Sequence, residues 1–104
     1  MLRVQINSDN SIKATETEAA AIEAMVRTRL DRHADRLTRI EVHLSDANAD
    51  SDVGDDKVCT IEARPKGLAP VSATDRAPAI EAAVAGALGK LMTVLERIFA
   101  RQGR

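Results

Sequence analysis

Few side chains in this sequence could carry out covalent or acid–base chemistry. There is one cysteine, Cys59, and there are two histidines, His33 and His43. Cys59 and His43 belong to strand patterns whose alternation places them on opposite faces of a sheet, so they cannot form a nucleophilic pair. His33 falls on the apolar face of a helix pattern, which favours a histidine at the edge of the core over a catalytic one. We therefore predict a protein with no enzymatic activity, no catalytic residues, no bound metal and no cofactor.

A calcium loop is the second chemical option. The segment 46–56, DANADSDVGDD, places oxygen ligands at every second position, namely Asp46, Asn48, Asp50 and Asp52. Such spacing can surround a hard cation. However, the glycine comes late, at Gly54, and Lys57 stands where a bidentate glutamate should close the site. A solvated hairpin loop is the favoured interpretation, and cation binding stays an alternative.

The basic residues are arranged more systematically. A rotation of about 100° per residue places three of them on one flank of a first predicted helix: Arg29, Arg32 and Arg36. It places three more on the corresponding flank of a second helix: Lys90, Arg97 and Arg101. Acidic residues such as Asp35 and Glu96 fall on the other side of each helix. Because arginine keeps its charge and donates two hydrogen bonds from one planar fork, two such rows could bridge phosphate groups.

A solvated helix surface with intrahelical pairs, such as Glu23 with Arg27, is the alternative for any single arginine. The formal net charge of −1 and the sequence pI of about 6.1 argue against binding of a polyanion by bulk charge. Aromatic residues make up 1% of the chain, so no platform for base stacking is expected. Any RNA would be bound through phosphates and shape.

Hydrophobic periodicity predicts the elements that position these residues. Leu2, Val4 and Ile6 alternate with polar residues and predict a strand. Thr15, followed three residues later by Glu18, predicts a capping box at a helix start. The apolar stripe of that helix is predicted as Ala19, Ile22, Val26, Leu30, His33 and Leu37.

Three more strands and a second helix follow. The predicted inward residues of the strands are Ile40, Val42 and Leu44, then Cys59, Ile61 and Ala63, then Ala69, Val71 and Ala73. Pro70 predicts that the last strand lies at a sheet edge. Asp75 is predicted to cap the second helix, and Gly86 and Gly89 to mark close packing. The second apolar stripe is predicted as Ile80, Val84, Ala87, Leu88, Leu91, Leu95 and Ile98.

The resulting order, β-α-β-β-β-α, predicts one α+β domain over residues 1–104. A right-handed crossover makes the first two strands parallel, and the remaining strands form an antiparallel meander. The fold is therefore predicted as a four-stranded mixed sheet with two parallel helices packed on one face.

Three stretches carry a family resemblance: RIEVHLSD at 39–46, DDKVCTIEARPKGLAPVSAT at 55–74, and AIEAAVAGALGKLMTVLERIFAR starting at Ala79. They resemble segments of the ribosome hibernation-promoting factor and RaiA (sigma-54 modulation protein) family in its short form. With the element order, the resemblance extends over nearly the whole chain. It implies a fold whose later elements are similar to double-stranded RNA-binding domains.

The resemblance also implies a function. Members of that family sit on the small ribosomal subunit, in the channel for messenger and transfer RNA, and silence translation in stationary or starved cells. Carried over to this chain, the residues that contact ribosomal RNA are Arg29, Arg32, Arg36, Lys90, Arg97 and Arg101. We expect a cytoplasmic protein whose partner is the small subunit and its RNA, with no membrane and no small-molecule substrate.

Two matters stay open in the sequence. The alternative function is a protein-interaction or regulatory module that keeps this fold without RNA affinity, which the acidic loop with Asp46, Asp50, Asp52, Asp55 and Asp56 allows. The oligomeric state is also undetermined, with a weak homo-oligomer as one option. Because the chain ends at Arg104, we do not expect the carboxy-terminal domain by which long family members pair ribosomes.

Overall fold

The computed structural model of the protein describes residues 2–47 and 56–102. In these ranges the chain forms two long helices, one short 3₁₀ helix and four strands. In order they are β1 (Arg3–Ser8), α1 (Glu16–Leu30), the 3₁₀ helix (Asp31–Arg36), β2 (Leu37–Asp46), β3 (Lys57–Pro65), β4 (Val71–Ala77) and α2 (Ile80–Gln102). The predicted order of strands and long helices is confirmed. Neither long helix has the length and apolar character needed to cross a membrane.

The four strands form one mixed sheet in the order β1-β2-β3-β4. β1 runs parallel to β2, with Val4 opposite Ile40, and the other two pairings are antiparallel. β4 is an edge strand, as predicted. It starts at Val71, directly after Pro70, so the prediction that it contains Pro70 and that Ala69 points inward was wrong, and Ala69 is exposed. The mixed α+β architecture predicted from the sequence is therefore confirmed.

One face of the sheet carries the core. Helix α2 packs on β3 and β4, and α1 packs on β1 and touches α2. The fully buried side chains of β2 and β3 that meet them include Ile40, Val42, Cys59 and Ile61. The predicted stripe of α2 is buried except for Ile98, which is partly buried, and Ala83 and Phe99 join it. Both helices therefore cover the same side of the sheet, and the opposite side stays open.

The capping box at the start of α1 is present, but the predicted end of this helix was wrong. Thr15 and Glu18 exchange two hydrogen bonds, with N to O distances of 3.0 and 3.1 Å. The α-helix ends at Leu30 and tightens into the 3₁₀ helix, and Leu37 begins β2 opposite Pro65. A register irregularity after Leu37 lets it face the core although strict alternation would place Thr38 there. Leu37 thus fits a helical stripe by spacing while belonging to a strand.

Asp75 does not cap α2, which corrects the second boundary prediction. It lies inside β4 opposite Cys59, and α2 begins only at Ile80. The Asp75 carboxylate instead accepts a hydrogen bond from Lys90 of α2, at 3.2 Å. An aspartate before a helix predicts a cap only when the strand has already ended, and here β4 continues to Ala77.

The acidic loop lies mostly outside the described residues, and so does its calcium-loop alternative. At its two ends the structure shows cation–carboxylate pairs rather than clustered acids. Lys57 lies 2.9 Å from Asp46, and Arg76 lies 3.8 Å from Asp56. Within residues 2–47 and 56–102, no three histidine, cysteine or acidic side chains converge as a metal site.

Gly86 marks a close approach between α2 and β4, whereas Gly89 does not. A Cβ atom on Gly86 would lie 1.7 Å from Oδ2 and 2.7 Å from Cγ of Asp75. A Cβ atom on Gly89 would meet nothing within 4 Å. The prediction of close packing is confirmed for the first glycine and wrong for the second. The contact presses α2 against the same aspartate that holds Lys90.

We expect Gly86→Ala to lower the free energy of unfolding by about 1–2 kcal/mol, because the new methyl group must displace the Asp75 carboxylate. Gly89→Ala is the matched control and should raise stability by about 0.5–1 kcal/mol through helix propensity alone. Urea unfolding followed by circular dichroism measures both. In an Asp75→Ala background the cost of Gly86→Ala should disappear. A cost that survives there would contradict the assigned contact.

Candidate anion-binding surface

All six basic residues predicted as a binding site are exposed in the structure. The first three come from the end of α1 and the 3₁₀ helix. Because a 3₁₀ helix has about three residues per turn, Arg32 and Arg36 do not keep the common flank that α-helical rotation gave them. Both side chains instead reach α2. Arg32 pairs through Nη2 with Oε2 of Glu96, and the Arg36 guanidinium lies over the Phe99 ring, 4.6 Å from its centroid.

The second row lies on the other flank of α2, toward β4. Lys90 fixes this direction, because its Nζ donates to the Thr74 carbonyl oxygen at 3.1 Å and to Asp75. Arg97 and Arg101 follow about two and three turns later on the same flank. The structure therefore keeps the predicted sorting of charge on α2. It also turns the acidic flank of α2, with Glu96, toward the basic residues that follow α1.

The six cations differ in how free they are to bind an anion. Lys90 and Arg32 each have a carboxylate partner, and Arg36 is stacked on an aromatic ring. The other three have no hydrogen bond or ion pair to another residue that the structure describes: Arg29, Arg97 and Arg101. An arginine stacked on a ring still presents its N–H edges in the guanidinium plane, so Arg36 can donate to a phosphate without leaving Phe99.

Phe99 is the residue that sequence reasoning missed. It is the single aromatic residue of the chain, it is 4% exposed, and it follows directly after the predicted end of the apolar stripe. Its ring packs against the His33 ring with a centroid distance of 5.2 Å. Phe99 thus joins the 3₁₀ helix to the end of α2. Phe99 follows Leu95 by four residues, and this helical spacing could have predicted that Phe99 belongs to the buried stripe.

His33 lies at the edge of the core, as predicted. Its Nε2 atom is buried and has no hydrogen-bond partner in the described part of the chain. Burial lowers the pKa of His33, the charge of Arg32 lowers it further, and Glu96 acts in the opposite direction. The neutral imidazole is therefore the form that suits this position between two arginines.

The open face of the sheet carries a second row of arginines that the sequence analysis did not find. Arg3, Arg39 and Arg64 lie opposite one another on β1, β2 and β3. Glutamates neutralise much of this row. Arg39 lies 2.5 Å from Glu41, and Arg64 lies 3.3 Å from Glu62. The row becomes apparent only when the pairing register of the strands is known. Because its arginines are paired with carboxylates, it is a weaker candidate anion site than the helix layer, which consists of α1, the 3₁₀ helix and α2 on the opposite face of the sheet.

Cys59 and His43 stand on opposite faces of the sheet, as the alternation predicted. Cys59 is fully buried, and burial followed by the Asp75 carboxylate raises the pKa of its thiol to about 12. His43 is exposed on the open face, 3.6 Å from Glu41. A thiol with so high a pKa supplies almost no thiolate near neutrality. These residues do not form a nucleophilic site.

The fold and the site together define a class of protein: a small α+β module whose helix layer presents exposed cations. Comparison with protein families places it more closely. The model of the family "Sigma 54 modulation protein / S30EA ribosomal protein" matches residues 4–102. The chain belongs to this family of ribosome-associated proteins, which confirms the resemblance seen in the sequence.

Solved structures with the same fold include two proteins of similar length. One is a ribosomal subunit interface protein from Coxiella burnetii, with 16% identity, a TM-score of 0.71, and coverage of 96% of this chain and 99% of the other. The other is the Protein Y N-terminal domain of Thermus thermophilus, with 23% identity, a TM-score of 0.73, and coverage of 94% and 99%. No curated protein sequence gives a significant match.

The environment of His33 predicts a pH dependence of stability. A histidine with a lowered pKa in the folded state contributes stability that is present above its ordinary pKa of about 6.5 and is lost as the pH falls through the folded value. We expect the free energy of unfolding to fall between pH 7.5 and pH 5, and to fall less in His33→Phe. Urea unfolding at both pH values measures the difference.

His43→Gln is the control and should behave like the unmodified protein. Equal losses in His33→Phe and the unmodified protein would contradict the role given to His33.

Proposed function

We propose that this protein binds the RNA of the small ribosomal subunit through the cations of its helix layer and thereby silences translation, as a non-enzymatic hibernation factor of the cytoplasm. One observation carries the proposal. Arg29, Arg97 and Arg101 are exposed and have no carboxylate partner among the described residues. Family membership supports the choice of the ribosome as the source of the phosphates. The fold shared with a ribosomal subunit interface protein supports it as well.

The chemistry of the site favours recognition of phosphate over recognition of base sequence. The one aromatic ring is buried under Arg36 and His33, so it offers no surface on which a base could stack. Guanidinium groups bind phosphate oxygens through paired, charge-assisted hydrogen bonds. Affinity should then depend on the arrangement of phosphates in folded RNA and fall steeply as salt is added.

A protein-interaction or regulatory module without RNA affinity is the second candidate. Two of the six predicted contact residues, Arg32 and Lys90, are paired with carboxylates, and the net charge is −1. Under this candidate the helix layer would bind a protein rather than RNA. The two candidates differ in whether ribosome association depends on the unpaired arginines.

Sedimentation through a sucrose gradient tests the proposal. In low salt, the purified protein should move with added small ribosomal subunits and should return to the top of the gradient as salt is raised. The double variant Arg29→Glu, Arg97→Glu removes one free cation from each helix and should abolish this association. The matched control is Arg3→Glu, Lys13→Glu, which changes the net charge by the same amount at exposed residues that are not among the six predicted contacts.

Two outcomes would reject the proposal. The first is an unmodified protein that stays at the top of the gradient in low salt. The second is an equal loss of association in both double variants, because bulk charge and not the helix layer would then be responsible. Circular dichroism must show that both variants are folded. Retained binding of a protein partner by Arg29→Glu, Arg97→Glu, with no ribosome association in any form, would favour the interaction module.

A further inference from the structure

Glu96 of α2 forms an ion pair with Arg32 of the 3₁₀ helix. Among the described residues, no other carboxylate of α2 pairs with a basic residue of α1 or the 3₁₀ helix. Arg32 lies in the 3₁₀ helix and Glu96 lies one turn before Phe99, so the pair links the 3₁₀ helix to α2. The side chains are 64% and 47% exposed. Arg32 and Arg36 contact α2 within one helical turn of each other, at Glu96 and Phe99, so the pair neutralises one of two neighbouring cations of the proposed surface.

This pair is suited to exchange rather than to holding the fold together. An ion pair between two well-exposed side chains adds little to stability, because water screens it and both side chains lose freedom in forming it. Lys90 and Asp75 form a contrasting pair. Asp75 is 32% exposed, touches Gly86, and shares Lys90 with the Thr74 carbonyl oxygen, so this pair ties α2 to β4.

We propose that Glu96 is an internal competitor for phosphate: it occupies Arg32 in the free protein, is displaced when a ligand with several phosphates binds, and so sets the affinity of the surface. A single phosphate gains little by replacing a carboxylate that is already in place. A chain of phosphates that also engages Arg36 reaches Arg32 at a high effective concentration and displaces Glu96. The surface therefore selects ligands with closely spaced phosphates. This inference rests on the proposed function for the identity of the natural ligand.

Glu96 also alters how binding responds to salt. A free cation that binds a phosphate leads to counterion release, and each such contact steepens the dependence of log K on log salt by about 0.7 to 0.9. Arg32 exchanges one anion for another, and the displaced Glu96 carboxylate stays beside the bound phosphates. Both effects reduce the number of contacts that salt titration detects.

Binding of inorganic polyphosphate, measured by calorimetry over a series of salt concentrations, tests the inference without a ribosome. Glu96→Gln keeps the size of the side chain and removes its charge. It should bind polyphosphate roughly two- to fivefold more tightly in low salt. This is the change in affinity that corresponds to the free energy of one exposed ion pair. Its salt dependence should be steeper by about one phosphate contact.

Two controls separate local competition from bulk charge. Glu81→Gln makes the same chemical change on an exposed residue at the other end of α2 and should leave affinity and salt dependence nearly unchanged. In an Arg32→Gln background, Glu96→Gln should lose most of its effect. Equal gains from the two glutamine variants, or a gain that persists without Arg32, would overturn the inference.

The outcomes also distinguish this inference from the proposed function. If the unmodified protein associates with small subunits while Glu96→Gln binds polyphosphate no better than Glu81→Gln does, the competitor role fails and the proposed function stands. If Glu96→Gln gains affinity through Arg32 while no form of the protein associates with ribosomal subunits, the competitor role stands and the proposed function fails.

Discussion

Helix α2 is held by burial of one apolar stripe against β3 and β4, and the orientation of that stripe fixes the direction of every other side chain on the helix. Val84, Leu88, Leu91 and Leu95 are fully buried. Each buried side chain of this type contributes roughly 1.5–3 kcal/mol, so rotation of the helix about its axis would cost several such contributions. Lys90 and the arginines after it are thereby directed to the β4 flank, and Glu96 to the flank that faces the 3₁₀ helix.

The same burial explains how a nearly neutral chain can present a cationic surface. Its 15 basic and 16 acidic residues almost cancel over the whole chain, so long-range attraction of a polyanion is weak. At short range the flanks of α2 separate the charges, with basic residues toward β4 and Glu96 on the opposite flank. On the open sheet face the charges are interleaved instead, and Glu41 lies within 4 Å of both Arg39 and Arg64. The proposed anion binding therefore depends on how the helices are oriented more than on composition.

Sequence periodicity was sufficient for the architecture because helices and strands each bury one regular face. The order of elements, the edge position of β4 and the capping box of Thr15 all follow from local patterns. The boundaries that failed involve residues that satisfy two patterns at once. Leu37 has the spacing of a helical stripe and the burial of a strand, and Asp75 resembles a cap while it pairs across to α2. Tertiary contacts decide such cases, and no local pattern contains them.

The candidate site was predictable as residue types but not as contacts. Helical spacing of about 100° per residue holds for α2, and its basic flank is found where it was expected. The same spacing does not hold beyond Leu30, where the chain winds as a 3₁₀ helix. The tighter winding takes Arg32 and Arg36 off a common helical flank, and both contact α2, one at a carboxylate and the other at a ring. The predicted row of three equivalent arginines thus contains Arg29 without a partner among the described residues, Arg32 paired with Glu96, and Arg36 stacked on Phe99. These three arginines differ in their capacity to bind phosphate.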